Sequence, residues 1–185
     1  IAARDGEIER AALAGRELDH AKRPAHQVGP APAPQRPQQP LVIDPENLDA
    51  TAVAIVGDVV VKAGSLDDTV SLGGNNARNV KILLGAGANS FSLAKDSVVQ
   101  KLDVKTGDGS DNVFFGNGAT AGGSVTLTLG AGDNDVFLEP TSRFNGNVVV
   151  KTKDGADDFF LNNNASLAKN LTLDLGAGKN DAFFN

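Results

Sequence analysis

The chain has no Cys, Met, Trp or Tyr among its 185 residues, and its nine aromatic residues are all Phe. Without Cys there is no disulfide framework, no Cys-ligated zinc and no thiol nucleophile. The two histidines, His20 and His26, are too few for a His-based metal site. A strong positive charge is also missing. Seventeen basic against 23 acidic residues give −6, which argues against a nucleic-acid binder, whose phosphate contacts need clustered Lys and Arg. No apolar run approaches the ~20 residues of a membrane-spanning helix. An initiator Met is absent too. The chain starts Ile1-Ala2-Ala3, so it reads as a processed product or a fragment from which any signal peptide is gone.

What is present is unevenly spread. Six of the eight prolines lie between Pro24 and Pro40, all nine Phe from Phe91 onward, and 18 of 21 glycines from Gly57 onward. The sequence divides into an arm and a body. Residues 1–23 are rich in Ala, Glu and Arg, with Ile8, Ala12, Gly15 and Leu18 at helical spacing, and predict a short helix. Residues 24–40 form a Pro-rich linker that favours extended polyproline II. Residues 41–63 read as an N-terminal cap or first partial rung, and 64–185 as a repeat domain.

Six segments of the body align on a Gly-rich turn. They read GSLDDTVSL from Gly64, GAGANSFSL from Gly85, GDGSDNVFF from Gly107, GAGDNDVFL from Gly130, KDGADDFFL from Lys153 and GAGKNDAFF from Gly176. Their starts lie 21, 22, 23, 23 and 23 residues apart, and a fixed period in this range indicates a solenoid. Five, three and one residues before the starts, 16 of 18 positions are aliphatic and the other two are Thr106 and Thr152. The positions between them are mostly polar, as in a strand with one buried face. A second alternating strand follows each turn, with inward pairs such as Val70/Leu72, Phe91/Leu93 and Val136/Leu138. A looser column (Val98, Ala121, Phe144, Leu167) predicts a third inward contact. The fold class is therefore all-β: a parallel β-solenoid (β-helix) of about six 21–23-residue rungs, preceded by a short helix and the linker. At about 4.8 Å per rung it is a rod about 30 Å long.

Four residues after each start stands Asp68, Asn89, Asp111, Asn134, Asp157 or Asn180. Acid and amide alternate without exception. The parity turns these side chains into the corner, where stacked carboxylates would repel and an intervening amide is expected to donate to both neighbours. Two residues after the start, five of six repeats carry Gly, which points to a backbone with φ > 0. The alternation makes the longer unit a doublet.

The run Gly107–Val113 (GDGSDNV) resembles the Gly-x-Gly-x-Asp-x-apolar core of the RTX, or hemolysin-type, calcium repeats of secreted bacterial proteins, and GADDF at Gly155–Phe159 matches it in part. The resemblance implies a β-roll with Ca²⁺ held by turn carbonyls and Asp side chains, making Asp111 and Asp157 ligands with Asp108 and Asp154 nearby. These rungs are longer than RTX repeats, and Asn replaces Asp at 89, 134 and 180. Across residues 57–185 the chain is similar in architecture to bacterial surface β-helix proteins such as adhesin passenger domains. That likeness implies a secreted or cell-surface location, with cell-surface glycans or lipid-anchored neighbours among the partners.

Seven residues after the starts stand Ser71, Ser92, Phe114, Phe137, Phe160 and Phe183. The parity directs them outward, so the four Phe predict an exposed ladder and a contact surface. The last repeat stops just after its post-turn strand, which reads as an open end able to recruit another chain. Enzymatic chemistry finds no footing: Gly116-x-Gly118-x-x-Ala121 precedes a strand rather than the helix a dinucleotide fingerprint needs. The outward Lys62, Lys105 and Lys151 read as solvated surface rather than a lyase cluster. The expectation is a non-enzymatic structural subunit of an extracellular filament or surface layer. It would require no cofactor, with Ca²⁺ the candidate ion, and would contact copies of itself head-to-tail or laterally. The alternative is a monomeric adhesin-like or calcium-binding rod.

Overall fold

A computed structural model describes residues 41–43, 49–53, 56–74 and 76–185, with side chains from Gly57 onward. The helix expected within residues 1–23 and the linker at 24–40 lie outside the described residues. Among the described residues there is no helix, and so none long and apolar enough to cross a membrane.

The chain winds as a stack of parallel strands. The first four rungs of the stack contribute β1 (Leu41–Ile43) and β2 (Asp49–Val53), β3 (Val56–Lys62) and β4 (Thr69–Gly73), β5 (Asn76–Leu83) and β6 (Ser90–Leu93), and β7 (Val98–Lys105) and β8 (Asn112–Phe115). Each later rung has three strands: β9 (Thr120–Ala121), β10 (Val125–Thr128) and β11 (Asp135–Leu138); β12 (Arg143–Phe144), β13 (Val148–Lys151) and β14 (Asp158–Leu161); β15 (Ser166–Leu167), β16 (Leu171–Asp174) and β17 (Asp181–Phe184). The first sheet runs β1-β3-β5-β7-β10-β13-β16 with β9, β12 and β15 beside it, and the second runs β2-β4-β6-β8-β11-β14-β17.

Every pairing joins a strand to its equivalent one rung away, and the registers follow the repeat columns. Val59, Val80, Leu102, Val125, Val148 and Leu171 are successive partners in the first sheet. In the second sheet Val70, Phe91, Val113, Val136, Phe159 and Ala182 are. These residues face each other across a narrow interior in which Ile82, Leu93, Leu102, Val104, Phe115, Leu127 and Leu138 are completely buried. Each such Leu or Phe contributes about 2 kcal/mol by leaving water. Apolar residues stack on apolar residues column by column, so the interior is filled by repetition.

The third inward column differs from the sequence expectation in its first member. Val99, not Val98, is the buried residue, paired with Ala121 on the next rung. Ala121, Phe144 and Leu167 then continue the column. In rungs up to β7 the corner lies within one continuous strand, whereas from β9 onward one extra residue separates a short strand from the main one. Counting back a constant distance from the main strand therefore lands one residue off, and a slip of one residue reverses the face.

Candidate functional site

Two features run the length of the stack: the polar ladder inside the Gly-rich turn and the outer face of the second sheet.

The ladder residues Asp68, Asn89, Asp111, Asn134 and Asp157 are each about 1 % exposed, and Asn180 on the last rung is half-buried. From Asn89 onward each Oδ1 accepts the backbone N–H of the equivalent residue on the preceding rung. The bonds are Asp68 N to Asn89 at 3.1 Å, Asn89 N to Asp111 at 3.0 Å, Asp111 N to Asn134 at 3.1 Å, Asn134 N to Asp157 at 3.0 Å and Asp157 N to Asn180 at 2.9 Å. These bonds satisfy backbone donors that the corner has taken out of the sheets.

The amides do not donate to both neighbours as the alternation suggested. Asn89 Nδ2 donates to Asp111 Oδ1 at 2.9 Å and to the Gly85 and Gly87 carbonyls of its own turn. Asn134 Nδ2 repeats this with Asp157 Oδ1 at 2.8 Å and the Gly130 and Gly132 carbonyls. The reason is directional. The amide oxygen already faces the preceding rung, so only the nitrogen side is left, and it points to the following rung and to its own turn.

The doublet has a chemical basis that the sequence reading missed. An Asp has no hydrogen to give its own turn, so its second oxygen needs a donor. Thr152, one residue before the turn, supplies one at 2.9 Å from Asp157 Oδ2. Thr106 holds the same place beside Asp111. In the Asn rungs that place is taken by Leu84, Leu129 and Leu175. Leu with every Asn, and Thr with two of the three Asp (Ala63 precedes the turn of Asp68), was the signal available in the columns. At Asp111 burial pushes the carboxyl pKa up, while the Thr106 hydroxyl and Asn89 pull it down and Asp108 adds a small upward push. Thr106 stops short of a well-formed hydrogen bond, and Asp111 Oδ2 is buried without one.

The glycine column has two causes. Gly87, Gly109, Gly132 and Gly178 have positive φ, but Gly155 does not. At Gly155 a Cβ would run into the Gly132 carbonyl of the rung beneath. Close stacking of turn on turn excludes a side chain there even where the dihedral would allow one.

The four aspartates of the calcium expectation do not converge. Asp111 and Asp157 point into the corner, and their Oδ1 atoms are occupied by hydrogen bonds. Asp108 is exposed, and its pKa is held below the ordinary value by the Ala131 N–H and by Lys153. Asp154 is exposed as well. Among the described residues no three acidic or His side chains form a group that could hold a metal ion.

On the outer face of the second sheet, Phe114, Phe137, Phe160 and Phe183 are successive cross-strand partners. Phe137–Phe160 and Phe160–Phe183 stack face to face with ring centroids 4.8 Å apart, and Phe114 tilts against Phe137 at 6.3 Å. Stacking half-buries the middle rings, yet Phe114 and Phe183 remain 39 % and 42 % exposed. Two residues earlier on the same strands, Asp135, Asp158 and Asp181 form a parallel acidic row. Burial raises the Asp135 pKa, and the carboxylates of Asp158, Asp157 and Asp133 raise it further.

The chain matches no known protein family, no curated protein and no solved structure.

Proposed function

We propose that the protein is a non-enzymatic structural subunit of an extracellular filament or surface layer, built by self-association. The observation that carries this reading is the Phe ladder. Four aromatic rings on consecutive strands put a continuous apolar stripe on the outside of a fold whose interior is complete without them, since Ser71 and Ser92 serve in the same column two rungs away. Exposed stripes of this kind are contact surfaces. Further contacts are the arm and the edge of the last rung. Whichever chain lies beyond β16 and β17, a continuation of this one or a second copy, it meets strands with open hydrogen-bonding edges. The extracellular location rests on the resemblance of Gly107–Val113 to RTX repeats.

Negative-stain microscopy of the purified protein tests the reading directly. Fibres or sheets are expected from the wild type and are expected to be lost in Phe137→Ser with Phe160→Ser. Isolated short rods from the wild type overturn it. That result favours the monomeric adhesin-like or calcium-binding rod, for which the RTX-like motif is the support. The calcium version requires Ca²⁺ to raise the melting temperature and EGTA to reverse the rise.

A further inference from the structure

The two sheets carry opposite charge on their outer faces. The strands β4, β6, β8, β11, β14 and β17 contain Asp135, Asp158 and Asp181 and no Lys or Arg. The strands of the first sheet from β3 onward contain seven basic residues against three acidic ones. Five of the seven, Lys62, Arg78, Lys81, Lys101 and Lys105, lie on β3, β5 and β7, and all five are exposed. Among the described residues Asp135, Asp158 and Asp181 take part in no ion pair, so their row has no cation on its own face.

The charges are also displaced along the stack. The acidic row and most of the Phe ladder occupy β11, β14 and β17, the last three rungs. The basic cluster occupies β3, β5 and β7, three rungs earlier. Both patterns repeat at the same strand spacing, because both sit on one solenoid, so a row of one copy is commensurate with a row of another. Outward aliphatic residues among the basic cluster, Val60 and Leu83, offer the Phe rings apolar contact. Lys over a ring face adds a favourable cation–π term.

We infer that the outer face of the second sheet, with its Phe and Asp ladders, docks on the basic outer face of the first sheet of a second copy, staggered by three rungs. This rests on the self-association of the proposed function and specifies its contact. The stagger is about 14 Å along the axis at 4.8 Å per rung. Such a front-to-back contact is heterologous and does not close on itself, so repeated copies extend without limit. Lateral contact alone then lengthens an assembly along the solenoid axis.

A charge-swap experiment tests the contact, read by sedimentation and microscopy at low ionic strength. The variant Lys62→Glu with Lys105→Glu, and separately Asp135→Lys with Asp158→Lys, are each expected to raise the concentration needed for assembly at least about tenfold, because like charges then face each other. Circular dichroism and melting temperature control for folding. Mixed together, the two variants are expected to co-assemble at the wild-type concentration. If the Lys62→Glu, Lys105→Glu variant assembles as the wild type does, or if the mixture is not rescued, the front-to-back contact is overturned while self-assembly stands. If the wild type does not assemble at all, the proposed function itself fails, and the contact with it.

Discussion

The Gly-rich turn and the outer face of the second sheet are built on the same repeat and obey different rules. In the turn, Asp and Asn alternate down all six repeats and Gly recurs in five of them, and each ladder N–H from Asp68 to Asp157 has its partner on the following rung. On the outer face the same column passes from Ser71 and Ser92 to Phe114 and its successors without any change in strand register. The turn is constrained by the rungs above and below it, so a substitution there is felt on three rungs. The outer face is constrained only by solvent or by a partner. Repetition in this molecule therefore has two meanings, necessity in the corner and opportunity on the face, and substitutions separate them.

The largest effect is expected from Gly109→Ala. The residue sits at φ 144° with its absent Cβ directed at the Gly87 carbonyl. Backbone strain and displacement of the stacked turn together are expected to cost about 3 kcal/mol. A melting temperature unchanged from wild type would show that the turns slide apart freely. Next comes Asn134→Ala, which removes the acceptor for the Asp111 N–H and the donor to Asp157 and two turn carbonyls. Groups left buried and unpaired put its cost at about 2–3 kcal/mol, measured by denaturant unfolding.

Phe137→Ser with Phe160→Ser is expected to cost about 1 kcal/mol per ring in the isolated subunit, the size of an aromatic cross-strand pair, and to leave the circular dichroism spectrum unchanged. A collapse of the fold would move the Phe ladder from the face into the core. The smallest effect is a gain. Asp111→Asn is expected to stabilise by about 1 kcal/mol at neutral pH, because the amide satisfies itself on its own turn as Asn134 does. Burial raises the folded-state pKa of Asp111 above its ordinary value of 3.8. In the wild type the unfolded state therefore binds fewer protons than the folded state between those two values. Stability falls as pH rises through that window, and the full cost remains above it. The advantage of Asp111→Asn should accordingly be smallest below pH 3.8 and grow as pH rises above it; an advantage equal at all pH values would exclude the carboxylate as its cause.

The fold was largely legible because a solenoid writes its register into its sequence. The period and the parity of Val59, Val80 and Leu102 suffice to define the sheet, the inward face and the pairing partners together. The column points to Val98 where Val99 is the buried residue, because the corner before the main strand changes length and there parity no longer propagates. The outward placement of the Phe column followed from the parity of Val113 and Phe115 on either side of Phe114. The single-sided bonding of the amides was not legible, since composition says how many hydrogens an Asn can give and not which way its oxygen faces. The pairing of Thr152 with Asp157 was visible as a correlation between two columns and acquires its meaning only once the hydroxyl is seen to reach the carboxylate.

The N–H bonds of the Asp and Asn ladder all run one way, while the neighbouring turn amides of Ala88, Ala131 and Ala156 bond back to an Asp of the rung before, and this gives the ladder itself a direction. The N–H of each ladder residue is satisfied by the side chain of the rung that follows it, never by the one before. A chain emerging from its amino end thus lays down each corner with one donor open and closes it only when the next rung arrives. Rungs stabilise mainly through their neighbours in such arrays. Folding of such an array can start at any rung and propagate; where it grows toward the carboxyl end, each rung added closes the ladder donor of the rung before it and brings one open ladder donor of its own.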